Sequence, residues 1–255
     1  MLPPQGIATL ICHRFLGLVC RRECPNHRVC RPALEPYGFL LQNDRREFGP
    51  GALPEIAGLI GQVSGLDIRA TVLPIKRVNK QLFQGVSHCT ILLQTAFLKK
   101  NLEQIAEVQA SFPSVIVTRL GFNVGRVAEL RGHVLSIPRG SYNGYAIAED
   151  PLIRRQLSNG YAQSVRLLKA GRVDAIAGTA LSIFFNLSRH GMQRHAYGSV
   201  TVFDNTPLWL QCRRRALPDA TLERLRRATE VLRTAGAVEK ILQHYSGGYT
   251  FKKGS

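Results

Sequence analysis

Short apolar segments alternate with amphipathic helical segments along most of this chain, and that alternation limits the folds open to it. In residues 51–63 the apolar side chains of Leu53, Ile56 and Ile60 share one helical face, and Gly65 follows as a stop signal. The next segments have the residue types of short buried strands. Strands separated by helices predict a parallel α/β sheet rather than an all-helical or all-β fold.

The same alternation runs through both halves of the chain. The predicted segments are strands at 27–31, 67–73, 89–93, 134–138 and 173–177, and helices at 51–63, 74–84, 162–170, 180–189 and 221–244. The last helix has an arginine-rich face opposite its apolar face. The sequence therefore predicts two α/β units followed by a long terminal helix.

The chain is strongly basic. Its 255 residues include 34 Lys and Arg against 17 Asp and Glu, which gives a formal net charge of +17. Such a surface attracts polyanions. The arginines are scattered, however, and neither a helix-turn-helix nor a zinc-finger spacing is present. Nucleic-acid or anionic-surface binding is thus kept as an alternative and is not the main expectation.

The N-terminal segment differs from the rest of the chain because it contains an interrupted apolar stretch. Residues 7–20 are mostly apolar but are interrupted by His13 and Arg14, and the stretch is too short to span a bilayer. It resembles a degenerate signal peptide without a clean cleavage site. We therefore expect residues 1–26 to be a divergent leader, outside the folded domain.

Six cysteines are present, at positions 12, 20, 24, 30, 89 and 212. Cys20, Cys24, Cys30 and His27 can be written as a zinc set, but the paired short spacings of zinc sites are missing. A disulfide among the N-terminal cysteines is a second interpretation, and unpaired thiols are favoured. Cys89 and Cys212 are expected to be cysteines buried in strands.

Catalytic patterns are absent from the sequence. The seven histidines form no HExxH or Cys-His spacing, Ser141 is not in a GxSxG turn, and Glu149 and Asp150 are adjacent and so point apart. We predict that the protein is not an enzyme and needs no metal or cofactor. A dehydratase or hydrolase on the same scaffold remains an alternative.

Five stretches, in this order, carry a resemblance to a known family: GPGALPEIAGLIGQVSGL, LPIKRVNKQLFQG, LRGHVLSIPRGSYNG, LLKAGRVDAIAGT and AGAVEKILQHYSGG. Residues 27–250 resemble the periplasmic solute-binding proteins that serve amino-acid and other polar-solute ABC transporters. The resemblance implies the two-lobed type 2 periplasmic binding fold. Each lobe would be a mostly parallel sheet flanked by helices, and two hinge strands would join the lobes.

The family's chain path predicts the lobe boundaries. Lobe one would comprise residues 27–121 and 204–255, and lobe two residues 122–203. The first crossing would be the stretch 114–121 and the return 202–207. A ligand would lie in the cleft between the lobes, near the carboxyl ends of the strands.

The resemblance also implies cleft residues. Tyr37 matches an aromatic wall, and Thr95 matches the threonine of lobe one that faces the ligand. The turn of Arg139, Gly140, Ser141 and Tyr142 follows a strand, where glycine and exposed N–H groups favour a ligand oxygen or an anionic group. A simple left-handed turn that ends the strand is the alternative for this stretch.

Two departures from the family pattern narrow the range of ligands that the cleft is expected to bind. The arginine that binds an α-carboxylate is replaced by Leu98, and the acid that binds an α-ammonium is replaced by Thr179, which we keep as a cleft residue. An unpaired charge in a dry cleft is costly, so an uncharged or anionic polar solute is expected rather than a standard α-amino acid.

The sequence thus predicts a monomeric solute receptor that closes around its ligand and serves an ABC transporter, with a membrane permease as its partner. Nucleic acid is not expected as a partner. The predicted location is the periplasm, and the cytoplasm stays open because the leader is unclear.

Overall fold

The computed structural model describes residues 27–32, 35, 51–73 and 75–248, with the backbone alone at 27–32, 75 and 76. The strands in this part are β1 (His27–Pro32), β2 (Ile68–Leu73), β3 (Cys89–Leu93), β4 (Leu102–Gln109), β5 (Pro113–Arg119), β6 (Val134–Pro138), β7 (Arg154–Ser158), β8 (Ala175–Thr179), β9 (Tyr197–Asn205) and β10 (Leu208–Arg213). The helices are α1 (Ala52–Ser64), α2 (Ile75–Phe83), α3 (Ala96–Asn101), α4 (Ala146–Glu149), α5 (Tyr161–Lys169), α6 (Ala180–Arg189), α7 (Asp219–Thr234) and α8 (Ala237–His244). Among the described helices, none is long and apolar enough to cross a membrane.

The strands form two five-stranded sheets with the same plan. The first has the order β2-β1-β3-β10-β4 and the second the order β7-β6-β8-β5-β9. In the first, β10 is antiparallel to both its neighbours, and in the second β5 is antiparallel to both of its own. The other strands of each sheet run in one direction. The predicted pair of mostly parallel α/β lobes is confirmed.

Two short stretches carry the chain between the sheets. Gln109 at the end of β4 pairs with Leu208, and Pro113 at the start of β5 pairs with Asn205, so the two connections run side by side. The crossings are residues 110–112 and 206–207. Residues 114–121 were predicted to be the first crossing, and that was wrong. Their strand pairs with β8 and β9 and belongs to the second sheet, because its apolar residues are buried there.

Each sheet is covered by helices that bury one apolar face. Helix α1 buries Leu53, Ile56 and Ile60 against the first sheet and ends at Gly65, whose φ of 63° is left-handed, as the sequence predicts. The guanidinium of Arg224 on α7 donates to the carbonyls of Ser64 and Gly65, and so satisfies carbonyls at the end of α1.

The predicted single helix at 221–244 is two helices. Helix α7 ends at Thr234, and α8 begins after Gly236, whose φ of 70° takes the chain out of the helical path. Both helices contribute to the core of lobe one, through Leu225, Leu232 and Leu242 among others.

A disulfide joins Cys89 on β3 to Cys212 on β10. The two residues face each other across antiparallel strands, and the amide of Arg213 donates to the carbonyl of His88 beside them. The prediction that both cysteines are buried in strands is confirmed, and the bond between them was not predicted. The two cysteines are 123 positions apart in the sequence, and the whole second sheet lies between them, so sequence spacing gave no sign of the bond.

A partly exposed ion pair between Arg119 and Asp174 lies immediately before β8. Asp174 accepts from Arg119 Nε at 3.0 Å and from the Val134 amide at 2.9 Å, and His133 Nδ1 lies 3.6 Å from the same carboxylate. Burial opposes ionisation, but the Val134 amide and the Arg119 guanidinium together hold the pKa of Asp174 below its ordinary value. This geometry agrees with a structural role for Asp174.

We expect removal of the disulfide to lower the free energy of unfolding by about 2–4 kcal/mol, because the bond restricts the unfolded chain. Urea unfolding of Cys89→Ala, Cys212→Ala and the double variant measures the loss. The single and double variants should be equally unstable, since either change removes the bond. Detection of both thiols free by peptide mapping of the native protein would contradict the assignment.

We expect Asp174→Asn to cost about 1–2 kcal/mol near neutral pH, where the carboxylate is ionised. A carboxylate with a lowered folded pKa stabilises the protein above its unfolded pKa, and that stabilisation is lost as the pH falls through the folded pKa. The gap between wild type and variant in urea unfolding should therefore shrink below about pH 4. A gap that is constant with pH would show that Asp174 acts through its shape alone.

Candidate ligand-binding site

A cavity of about 600 Å³ lies between the two lobes and takes side chains from both. Cavities of this size hold small organic ligands. It lies at the carboxyl ends of β3, β6 and β8, where open α/β sheets place their ligands.

The wall from lobe one is mostly apolar. Its side chains come from α1, α2, β3, α3, the first crossing and β10. They are Leu53, Asn79, Ile91, Leu92, Leu93, Thr95, Phe97, Leu98, Phe112 and Leu208. Most of these positions are buried because the same residues complete the core behind them.

The wall from lobe two is a turn between β6 and α4. Gly140, with a φ of 84°, and Tyr142, with a φ of 59°, both have left-handed backbone, and the Ser141 amide donates to the carbonyl of Pro138. Such a conformation is strained for tyrosine, at about 1 kcal/mol, and strain of this kind clusters at functional sites. The turn brings Ser141, Tyr142 and Tyr145 to the cavity.

A group of hydroxyls lies behind this turn. Tyr161, at the start of α5, is buried, and that burial raises the pKa of its phenol to about 12 although hydrogen bonds with Tyr142, Thr179 and Ser141 oppose the rise. The Tyr142 hydroxyl lies 2.9 Å from the Ser114 hydroxyl. All five groups are neutral at physiological pH. This wall thus offers the cavity uncharged hydrogen-bonding groups.

Tyr161 reaches this position because Gly178 has no side chain. A Cβ at Gly178 would overlap the Tyr161 ring, which lies directly against the β8 backbone. The ring can therefore place its hydroxyl next to Thr179, the last residue of β8.

The structure brings most of the predicted site residues together. Thr95, Gly140, Ser141, Tyr142 and Thr179 all line the cavity. Thr95 also accepts from the Leu98 amide at 3.3 Å and so begins α3. Their role as ligand contacts stays a prediction.

Arg139 and Tyr37 have different outcomes. Arg139 is exposed and does not line the cavity, because its strand ends there and its amide donates to the carbonyl of Ser158. Tyr37 lies outside the described residues. The predicted turn thus contributes through the three residues after Arg139.

Both departures from the family pattern are visible in the cavity. Leu98 and Thr179, which the sequence analysis predicts in place of the family's arginine and acid, both line it. None of the described lining residues carries a charge. The basic character of the chain is therefore not concentrated in this part of the molecule.

Sequence reasoning missed three lining residues that matter. Tyr161 and Tyr145 had no distinctive motif, although Tyr161 follows a glycine at a helix start. Asn79 lies in the helix predicted at 74–84 and was not singled out, yet its Oδ1 is buried with no hydrogen-bond partner in the described part of the chain. Tyr142 also makes edge contacts with Tyr145 and Phe203, at ring-centroid distances of 5.6 and 5.2 Å.

Within the described residues, no group of His, Cys, Asp and Glu side chains could hold a metal ion. The zinc set written from Cys20, Cys24, Cys30 and His27 lies outside the described side chains.

No protein-family model matches the chain, and no curated protein matches its sequence. Solved structures match its fold. One is the ligand-binding core of GluR0 from Nostoc punctiforme in complex with L-glutamate, with a TM-score of 0.71, 13% identity and coverage of 87% of this chain and 99% of that one. Another is an ancestral arginine-binding protein bound to arginine, with a TM-score of 0.69, 18% identity and coverage of 86% and 97%.

A third is a histidine kinase sensor domain with similarity to periplasmic binding proteins, with a TM-score of 0.73, 18% identity and coverage of 88% and 96%. At these identities the likeness shows the fold alone. The chain has the two-lobed fold of the type 2 periplasmic binding proteins, as the sequence predicts.

We expect Gly178→Ala to lower the free energy of unfolding by about 1–3 kcal/mol, because the new methyl group must displace the Tyr161 ring. Gly58→Ala is the matched control, since no atom lies within 4 Å of a Cβ built at that helical position. Alanine there should be neutral or stabilising. Equal urea midpoints for the two variants would contradict the close packing of Tyr161 on β8.

Proposed function

We propose that this protein is a solute receptor that binds a small molecule between its lobes, as the substrate-binding component of an ABC transporter. The observation that carries the proposal is a cavity lined by residues of both lobes. In the described part of the chain, two short crossings connect these lobes. A ligand that contacts both walls favours the closed arrangement over the open one.

Contacts at α6 support a closed arrangement in this structure. Leu181 on α6 packs with the core of lobe one. Gly247, after α8, approaches the Phe184 backbone so closely that a Cβ there would overlap it. Arg189 Nη1 lies 3.1 Å from the Glu35 carboxylate. These contacts would stabilise closure together with the ligand.

The solved structures of the same fold support a binding role over a catalytic one. They include proteins in complex with L-glutamate and with arginine, and the substrate-binding protein of an amino acid ABC transporter. A permease as the partner and a monomeric state belong to the proposal. A sensor role is the second candidate, because a histidine kinase sensor domain shares the fold at a TM-score of 0.73.

The disulfide supports a periplasmic location. Disulfides form and persist in oxidising compartments and are rare in the cytosol. The bond between Cys89 and Cys212 is buried in the sheet of lobe one. We therefore propose that the folded domain matures after export.

A thermal-shift screen of small solutes tests the receptor proposal. A ligand at about 100 times its Kd should raise the Tm by about 5–10 °C. Ser141→Trp should abolish the shift because the indole fills the cavity, whereas Ser188→Trp, at an exposed position of α6, should leave it intact.

The proposal fails if no solute raises the Tm, or if Ser141→Trp leaves the shift unchanged. Salt-sensitive binding of DNA by a protein that fails this screen would favour the polyanion alternative, which the net charge of +17 motivates.

A further inference from the structure

Helices α2 and α3 form a layer on lobe one whose charged side chains are all basic. The sequence has no acidic residue between Asp67 and Glu103. The exposed cations of the two helices, together with those that follow β10, are Arg77, Lys80, Lys99, Lys100, Arg214 and Arg215. None of these cations forms an ion pair with a described carboxylate. Their charge is therefore available to a partner.

Packing holds these cations on one continuous surface. The two helices share a buried apolar cluster, which consists of Val78, Leu82, Leu92, Leu98 and Leu102. Arg214 Nη2 donates to the carbonyl of Lys100 at 3.1 Å, and the guanidinium of Arg213 lies against Gly85, just after the end of α2. The end of β10 thus extends the basic layer of α2 and α3, and we call this surface the basic face.

Two phenylalanine rings lie exposed on the basic face. Phe83, the last residue of α2, is 45% exposed and Phe97 on α3 is 59% exposed. Their ring centroids are 5.9 Å apart, so the rings form one apolar patch, and Val86 after α2 is 44% exposed. An exposed apolar patch with a polar rim marks a surface that contacts a partner.

The cations and the rings share the same sides of their helices. Lys80 precedes Phe83 by three residues on α2, and Lys100 follows Phe97 by three residues on α3. Residues three apart on a helix are neighbours on its surface. A partner that covers the rings therefore also meets both ammonium groups.

An anionic lipid bilayer offers both of the chemical groups that this face requires. Aromatic rings enter the interfacial layer of a bilayer, and lysine and arginine bind its anionic headgroups. A nucleic-acid duplex has phosphates at its surface, but its apolar base faces are stacked inside, so it would leave the two rings exposed. The combination of rings and cations thus favours a bilayer over a duplex.

We propose that the basic face binds the surface of an anionic lipid bilayer, with Phe83 and Phe97 in the interfacial layer and the surrounding cations on lipid phosphates. Phe97 also lines the cavity, so the basic face borders the cleft. Binding through this face holds the cleft next to the membrane, where the permease of the proposed function would lie.

Cosedimentation of the full chain with lipid vesicles tests this surface. We expect the protein to bind phosphatidylcholine vesicles that contain about 30% phosphatidylglycerol at least about tenfold more tightly than vesicles of phosphatidylcholine alone. Binding should weaken as the salt concentration rises, because salt screens the attraction between exposed charges.

The double variant Lys80→Gln, Lys100→Gln locates the contact. It should lower the partition coefficient about 25-fold, because each cation near an anionic surface contributes about fivefold. Arg166→Gln with Lys169→Gln is the matched control, since it removes the same charge from exposed positions of α5 in lobe two. The control should lower the coefficient by less than about threefold, through the net charge alone.

Phe83→Ser tests the contribution of the rings. We expect it to lower the partition coefficient about tenfold, because the apolar surface of the ring no longer enters the bilayer. Leu120→Ser, at a position of lobe two that is 64% exposed, is the control and should leave the coefficient unchanged. Circular dichroism and the Tm of each variant establish that it is folded.

Three results would overturn the proposal. Equal losses in the two double variants would show that the charge of the whole chain, and not the basic face, attracts the vesicles. Unchanged binding by Phe83→Ser would show that the rings do not enter the bilayer. Binding of a DNA duplex that needs Lys80 and Lys100, without binding of vesicles, would assign the face to nucleic acid. The receptor function is tested separately, because a solute can raise the Tm whether or not vesicles bind.

Discussion

Two antiparallel strand pairs, one in each sheet, hold the two connections between the lobes side by side, and the position of the cleft depends on them. The end of β4 pairs with β10, and the start of β5 pairs with β9, so the lobes are held by a two-stranded ribbon. Only residues 110–112 and 206–207 lie between these pairings. Backbone pairing on both sides keeps the two connections together, while the short unpaired stretches between the pairings can absorb the change in φ and ψ of a hinge motion.

The same two connections determine which residues face each other across the cleft. Because the crossings bring the carboxyl ends of β3 and β8 to face each other, Thr95 and Leu98 after β3 come opposite Thr179 at the end of β8. One wall continues the apolar core of lobe one, and the other ends in tyrosine, serine and threonine hydroxyls. Among the described residues, arginines such as Arg224 and Arg226 lie outside the cleft and donate to backbone carbonyls.

The segments with clear periodicity were predicted nearly to the residue. Helix α1 and strands β3 and β6 have apolar patterns and stop signals that act within a few residues of sequence. Strand β4 was missed because only Ile105 and Val108 among the eight residues of LEQIAEVQ are usual strand formers. The break between α7 and α8 was missed because Gly236 interrupts a helical pattern that continues on both sides.

For the cleft, the sequence by itself determined that Thr95 and the turn of Gly140, Ser141 and Tyr142 follow strand ends and that Thr179 lies where a strand passes into a helix. Local residue types carry that information, because strand ends and turns are fixed over short stretches. Only the tertiary structure decided that Cys89 bonds Cys212, that Tyr161 packs on Gly178, and that the Asn79 Oδ1 is buried with no hydrogen-bond partner among the described residues. These features depend on groups that are distant in sequence and meet only when the sheets are assembled.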